Sequence, residues 1–160
     1  MIVRSFLNLF ILSALLAFSI ASHAEVLSGH VIAVADGDSL TLLDANKQTF
    51  KIRLAAIDAP EKNQAYGTRA KQSLSKICFG KNAEAIVTTK DRYQRYVAEI
   101  YCAGVNANET QIATGMAWVY LQYAKGFDRY KELEDAARKQ RLGLWADDNP
   151  IPPWQFRRQK

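Results

Sequence analysis

Three carboxylates lie at the ends of two predicted strands in the first half of the chain, and an arginine lies within the second of these strands. Asp38 precedes the segment Ser39–Leu43, Arg53 lies within the segment 49–56, and Asp58 and Glu61 follow it. Carboxylate oxygens at fixed separations are the ligands that calcium, magnesium and manganese prefer. Arginine suits phosphate oxygens because it presents several N–H donors in one plane. These residue types indicate metal-assisted chemistry on a phosphate ester.

Structural roles remain open for the same residues. Asp36 and Asp38 are typical of turns, and for Asp36 we favour that role. Asp58 would then only initiate a turn before Ala59-Pro60. Arg53, and Arg95 at the start of a later strand, could equally form salt bridges that contribute little if exposed. A zinc site is disfavoured, because the whole chain has only two histidines.

The hydrophobic pattern predicts five strands with one helix between the third and the fourth. Proline lacks an N–H, so we expect the third strand to break at a rigid corner, Asp58-Ala59-Pro60. Asp36-Gly37 predicts a tight hairpin, because glycine tolerates a positive φ. The expected strands are 26–35, 39–43, 49–56, 83–89 and 96–101, and the expected helices are 68–79, 106–116 and 127–141. This order favours an α+β fold, a five-stranded OB-type β-barrel with about three helices.

The first 24 residues are predicted to be a signal peptide. Arg4 precedes an apolar run, residues 6–20, that is short for a membrane span, and small residues end at Ala24. We expect cleavage after Ala24, with an uncleaved anchor as the alternative. Residues 25–160 then form one domain, with a core at 26–145 and a tail at 146–160. No stable membrane association is expected after cleavage.

Charge and cysteine content are consistent with export and a polyanionic partner. The whole chain has a formal net charge of +5, which suits a polyanion but is weak evidence alone. Cys78 and Cys102 are the two cysteines. An oxidising compartment favours a disulfide between them over two buried thiols. We expect a monomer that is periplasmic or secreted.

A set of short motifs, taken in order, resembles the thermonuclease family, also called micrococcal-nuclease-like. The resemblance covers nearly all of residues 26–145. Its motifs are Asp36-Gly37-Asp38-Ser39, Arg53-Leu54, Ile57-Asp58-Ala59-Pro60-Glu61, Asp91-Arg92-Tyr93 with Arg95, Asn108-Glu109, Gly115-Met116-Ala117 and Leu142-Gly143-Leu144-Trp145.

That resemblance implies an OB-fold, calcium-dependent phosphodiesterase acting on DNA and RNA and leaving 3′-phosphate ends. Positions matching Asp38 and Asp58, with the main-chain carbonyl of Ala59, would bind calcium. Glu61 would be the proposed general base, and Arg53 and Arg95 would hold the scissile phosphate. The alternative is a noncatalytic OB-fold protein that only binds nucleic acid.

Further substrate contacts are predicted around these residues. Arg92 and Tyr93 resemble positions near the neighbouring phosphate. Tyr120 and Tyr123 could stack on a base, although tyrosines at such spacing more often pack against the protein. The basic tail, with Arg157 and Arg158, would either attract phosphate or remain a solvated end.

Overall fold

Alternating apolar residues in five segments build a closed barrel. A computed structural model describes residues 25–159, so the predicted signal peptide at 1–24 lies outside the described residues. The strands are β1 (Val26–Val34), β2 (Ser39–Leu43), β3 (Thr49–Leu54), β4 (Ile57–Asp58), β5 (Asn82–Lys90), β6 (Tyr96–Cys102), β7 (Val105–Asn106) and β8 (Trp118–Val119). The order β3-β2-β1-β5-β6 is antiparallel, and the parallel pairing of β3 with β6 closes the sheet. The predicted five-stranded barrel of the α+β class is confirmed.

In the described part of the chain, one helix lies between β4 and β5 in sequence, and the other three follow β7. They are α1 (Gly67–Cys78), α2 (Ala107–Ala113), α3 (Asp128–Lys139) and the short α4 (Pro153–Phe156). Shorter 3₁₀ turns lie at Leu121–Tyr123, Gly143–Ala146 and Arg157–Gln159. Among residues 25–159, no helix is long and apolar enough to cross a membrane.

The corner that redirects the chain after β3 differs from the prediction. β3 ends at Leu54, and the chain turns at Ala55 and Ala56, where Ala56 has a left-handed φ of 61°. The predicted corner at Asp58-Ala59-Pro60 was therefore placed too late. β4 then pairs with β8, so Asp58 lies opposite Trp118. Tertiary pairing fixes this turn, since alanine has no intrinsic preference for such a φ.

Gly37 is required for a reason other than the predicted positive φ. The predicted hairpin between β1 and β2 is confirmed, because the two strands pair antiparallel on either side of this loop, but the φ of Gly37 lies outside the left-handed region. Instead, a Cβ at this position would lie 2.6 Å from the Cβ of Ala70 and 2.7 Å from that of Ala59. Glycine is needed because the loop before β2 passes directly against α1 and the segment after β4.

A disulfide fastens α1 to the barrel. Cys78, the last residue of α1, is bonded to Cys102, the last residue of β6, and both side chains are fully buried. The link closes a loop with a sequence separation of 24 residues. The predicted disulfide is confirmed, and the alternative of two separate buried thiols is excluded.

Candidate active site

A buried arginine joins two carboxylates at one end of the barrel. In β3, Nη1 of Arg53 lies 2.5 Å from Oδ2 of Asp38, and Nη2 lies 3.0 Å from Oδ1 of Asp58. Asp38 is 6% exposed and Asp58 is 2% exposed. Nη2 also donates to the carbonyl of Ile57, at 3.2 Å. Each buried charge therefore has an opposite charge beside it, which a buried ion needs.

The pairing of β2 with β3 and the turn at Ala55–Ala56 bring Asp38, Arg53 and Asp58 together. Ser39 pairs with Arg53 across the two strands, which brings the preceding Asp38 close to Arg53. The turn folds the chain back so that Asp58 reaches the same guanidinium. Asn108 in α2 supports that turn, because its Nδ2 donates to the carbonyls of Ala55 at 3.0 Å and Ala98 at 3.3 Å.

The loop that carries Asp38 is held by a second buried amide of α2. Nε2 of Gln111 donates to the carbonyl of Gly37, at 2.6 Å, and to that of Ala70 in α1, at 3.0 Å. Asp38 itself accepts from the N–H of Ala59, at 2.8 Å, and from the hydroxyl of Ser39, at 3.1 Å. Helix α2 thus fixes both segments that supply the acids.

Arg95 reaches the same cluster from the other side. Its Nε donates to Oδ2 of Asp91, at 2.7 Å, and its Nη1 lies 3.5 Å from the hydroxyl of Ser39. The turn before Arg95 has Gln94 at a left-handed φ of 62°, and Asp91 accepts the N–H groups of Tyr93 and Arg95 there. Ser39 therefore connects Arg95 to Asp38 within one continuous network.

Glu61 lies at the exposed edge of the cluster, where a further arginine meets it. Nη1 of Arg157, in the C-terminal tail, lies 2.7 Å from Oε1 of Glu61 and 3.3 Å from Oδ1 of Asp58. Nη2 of Arg157 lies 2.7 Å from Oδ2 of Asp58. Asp38, Arg53, Asp58, Glu61 and Arg95 thus all lie in one contiguous group, joined by Ser39 and Arg157.

Burial raises the pKa of the aspartates in the cluster, whereas pairing with arginine lowers it. Burial raises the pKa of Asp36 to about 6, helped by the negative charge of Asp38. Burial also acts on Asp38, but Arg53 and the N–H of Ala59 outweigh it and lower the pKa of Asp38. The pKa of Asp58 is raised by burial, against the hydrogen bonds from Arg157. Asp38 and Arg53 consequently face each other as a charged pair at neutral pH.

The residues predicted to contact substrate differ in how exposed they are. Tyr93 is exposed, with the guanidinium of Arg92 4.9 Å and that of Arg95 5.6 Å from its ring centroid. Tyr123 is 61% exposed. Tyr120 stacks on Trp154, with centroids 5.3 Å apart and planes at 11°, so the tail covers one face of its ring.

The donor set of the cluster fits a hard cation, because it consists of carboxylate oxygens. In the part of the chain that the structure describes, no three His, Cys, Asp or Glu side chains form a ready-made metal site. Arg53 and Arg157 lie against the carboxylate oxygens of Asp38, Asp58 and Glu61. The carbonyl of Ala59 stays a predicted ligand.

Sequence reasoning did not identify the roles of Gln111 and Arg157. Gln111 lies in an ordinary amphipathic helix, and nothing local marks its side chain as buried. For Arg157 a signal exists, namely Pro152-Pro153-Trp154 just before it. A stiff segment with a large aromatic side chain is more typical of a docked segment than of a free end.

The fold and the cluster define a class: an OB-type barrel with acids and guanidinium groups gathered at one end. The family described as staphylococcal nuclease homologue matches residues 51–147. An uncharacterized endonuclease of Haemophilus influenzae is 42% identical over 92% of this chain and 84% of its own length. The micrococcal nuclease of Shigella flexneri is 41% identical over 81% of this chain and 80% of its own length.

A staphylococcal-like nuclease of Arabidopsis thaliana is 43% identical over 69% of this chain, which corresponds to 34% of the plant protein. The chain belongs to the staphylococcal nuclease family. This membership supports a nuclease function, a hydrolase activity on nucleic acid.

Proposed function

We propose that the protein is an exported, calcium-dependent nuclease that hydrolyses DNA and RNA and leaves 3′-phosphate ends. The observation that carries the proposal is the single network running from Arg95 through Ser39, Asp38 and Arg53 to Asp58. Glu61 lies at its edge. The network combines oxygen ligands for a cation with donors for a phosphate, which is what phosphodiester hydrolysis needs.

Asp38, Asp58 and the carbonyl of Ala59 are the proposed calcium ligands. A calcium ion bound there would polarise a phosphate oxygen and neutralise developing charge. The low pKa of Asp38 supports this role, because the carboxylate stays ionised at neutral pH. Asp38 is also held in place by Ala59 and Ser39, so its orientation needs little reorganisation.

Glu61 and the two arginines would act on the substrate directly. Glu61 takes the proton of the attacking water, or orients that water, on the exposed side of the cluster. Arg53 and Arg95 cannot be deprotonated in proteins, so they serve as hydrogen-bond donors to the non-bridging oxygens of the phosphate. The water oxygen attacks phosphorus, the bond from phosphorus to the 5′ oxygen breaks, and the 5′ oxygen takes up a proton from solvent to leave as a hydroxyl. The phosphate therefore remains on the 3′ end.

Export is proposed from the sequence of residues 1–24 and is supported by the disulfide. Disulfides persist in oxidising compartments and are rare in a reducing cytosol. We propose a periplasmic or secreted monomer. Fractionation of cells that express the full chain, with detection of the mature N-terminus at Glu25, tests the export and the cleavage site together.

The activity is tested by incubating the purified protein with plasmid DNA or RNA, in calcium or in a chelator. We expect fragments only with calcium, and fragments that need phosphatase treatment before a 3′-end labelling reaction. Binding without cleavage in both conditions would favour the noncatalytic alternative. The presence of all five charged residues in one network favours the enzyme.

A further inference from the structure

The C-terminal tail lies across the proposed metal site. We define the tail segment as residues 150–159, which contain α4 and the 3₁₀ turn Arg157–Gln159. Arg157 is the residue that reaches the site, and it bonds to both Asp58 and Glu61 through its two terminal nitrogens. The oxygens that it occupies belong to a proposed calcium ligand and to the proposed base.

A cation and Arg157 require the same oxygen. Nη2 of Arg157 lies 2.7 Å from Oδ2 of Asp58, while Oδ1 of Asp58 is already bonded to Arg53 and Arg157. Calcium binds carboxylate oxygens at about 2.3–2.6 Å, so an ion on Oδ2 would lie at most about 5 Å from the guanidinium nitrogen. Two positive charges at that separation repel each other.

Arg157 is the more readily displaced of the two arginines on Asp58. Its side chain is 43% exposed, whereas that of Arg53 is 16% exposed and extends from a central strand. Asp58 is buried, but water and salt screen the half-exposed guanidinium of Arg157 more than that of Arg53. Of the two guanidinium groups, Arg157 therefore costs less to move.

The tail segment docks through specific contacts, but its packing against the body of the protein is incomplete. Trp154 stacks on Tyr120 and meets the edge of Trp118, with centroids 5.7 Å apart, and Nε2 of Gln64 donates to the carbonyl of Ile151 at 2.5 Å. Beneath the segment is a cavity of about 130 Å³, lined in part by Pro60, Tyr66 and Phe156. A cavity of that size is large enough for water, so the docking surface is not continuous.

We propose that the tail segment is a cation-displaced latch: Arg157 neutralises Asp58 and Glu61 in the metal-free protein, and calcium binding releases it from them. The proposal rests on the calcium site of the proposed function. The tail and the calcium ion then compete for the same carboxylates, so that calcium binding displaces Arg157 and uncovers the site. The latch also keeps the unliganded acids paired, which limits their mutual repulsion.

The test compares calcium affinity by isothermal titration calorimetry for wild type, Arg157→Gln and Arg158→Gln. Arg158 is the matched control, because it is the adjacent exposed residue and its replacement changes the net charge equally. We expect Arg157→Gln to bind calcium roughly threefold to tenfold more tightly than wild type, since a competing cation is lost. Arg158→Gln should match wild type.

A second measurement follows the tail directly by amide hydrogen exchange. Calcium should speed exchange at residues 155–159 in wild type, and should change it little in Arg157→Gln. An Arg157→Gln affinity equal to or weaker than that of wild type overturns the latch, as does a calcium-independent exchange rate in wild type.

Cleavage assays on the same samples separate the latch from the proposed function. Tighter binding in Arg157→Gln without any cleavage by wild type supports the latch and contradicts the nuclease proposal. Calcium-dependent cleavage with identical affinities in all three proteins supports the nuclease and overturns the latch. If none of the three proteins binds calcium, both proposals fail.

Discussion

At the scale of the residue, the site depends on charges that are paired before any ligand arrives. Arg53 bridges Asp38 and Asp58, and Arg95 contacts Asp91 and Ser39. Such pairing fixes the side chains and spares the site a reorganisation when the phosphate becomes more negative. Arg95 is the better residue for a test of function, because it is more exposed than Arg53 and its loss disturbs the core less.

Replacing Arg95 by alanine should reduce the turnover of DNA while leaving the fold unchanged. The side chain would donate to the phosphate, and loss of one such donor typically costs about 3–4 kcal/mol of transition-state stabilisation, or roughly 100-fold to 1,000-fold in rate. Initial rates at saturating substrate, with thermal melting as the folding control, measure this. Unchanged turnover would remove Arg95 from the site.

Replacing Asp36 by asparagine should stabilise the metal-free protein at neutral pH. The folded pKa is raised from 3.8 to about 6, so the fold disfavours the charged form. Stability is therefore lost as the pH rises from about 4 to about 6. The full penalty is about 3 kcal/mol, and asparagine keeps the acceptor for the N–H of Asp38.

Urea unfolding in a chelator at pH 7.5, 5.5 and 4 measures this effect. We expect Asp36→Asn to exceed wild type by roughly 1–3 kcal/mol at pH 7.5. The difference should become small at pH 4 and vanish well below it, where Asp36 is protonated in both states. A constant difference at all three pH values would show that charge is not the cause.

The sequence predicted which acids and arginines belong to the site, but it did not predict all of the contacts that they make. Strand ends and a proline suggested where Asp38, Asp58 and Glu61 would lie, because local patterns determine those elements. Arg157 was not predictable as a partner of Asp58, since a sequence separation of 99 residues leaves no local signal. Only tertiary packing, through Trp154, brings the two together.

At the scale of the element, helix α2 acts as the support of the site. Asn108 and Gln111 lie on its buried face and hold the carbonyls of Ala55, Gly37 and Ala70. A buried carbonyl that loses its donor costs about 1–3 kcal/mol. The geometry of the acids is therefore coupled to a helix that carries no catalytic group.

Replacing Gln111 by leucine should reduce both stability and turnover. Two buried carbonyls lose their donor, so the free energy of unfolding should fall by about 2–4 kcal/mol. Gln140→Leu makes the same chemical change at an exposed position and serves as the control. If the two variants were equally stable, Gln111 would have no supporting role.

Removing the disulfide should destabilise the protein without abolishing the barrel. The bond links α1 to β6 with a sequence separation of 24 residues, and such a loop contributes about 3 kcal/mol through the unfolded state. Urea unfolding of the double variant Cys78→Ala/Cys102→Ala measures the loss. A reductant should lower the stability of wild type and leave the variant unchanged; any response of the variant would contradict this assignment.

Element positions agree with the sequence pattern where alternation is strong and differ where the backbone adopts unusual angles. β2 has the predicted bounds, and α1 begins and ends one residue earlier than predicted. The turn at Ala55–Ala56 was missed, because nothing in an Ala-Ala pair indicates a left-handed φ. Two-residue strands such as β4 and β8 also escape prediction, since they form only by pairing with each other.

At the scale of the whole molecule, the barrel brings distant segments to one end and the tail closes over it. Closure requires the parallel pairing of β3 with β6, which places Arg53 beside Val97 and brings the turn of Arg95 to β2. The cluster is thus a product of the closed topology. No single segment contains it.

The most direct test of the account is single-turnover cleavage of a labelled oligonucleotide in calcium by wild type and Glu61→Gln. Glu84→Gln is the control, because Glu84 is an exposed residue of β5. Whether Glu61 removes the proton or orients the water, we expect its variant to be at least about 100-fold slower. The control should cleave like wild type. Equal rates for Glu61→Gln and wild type would contradict the proposed active site.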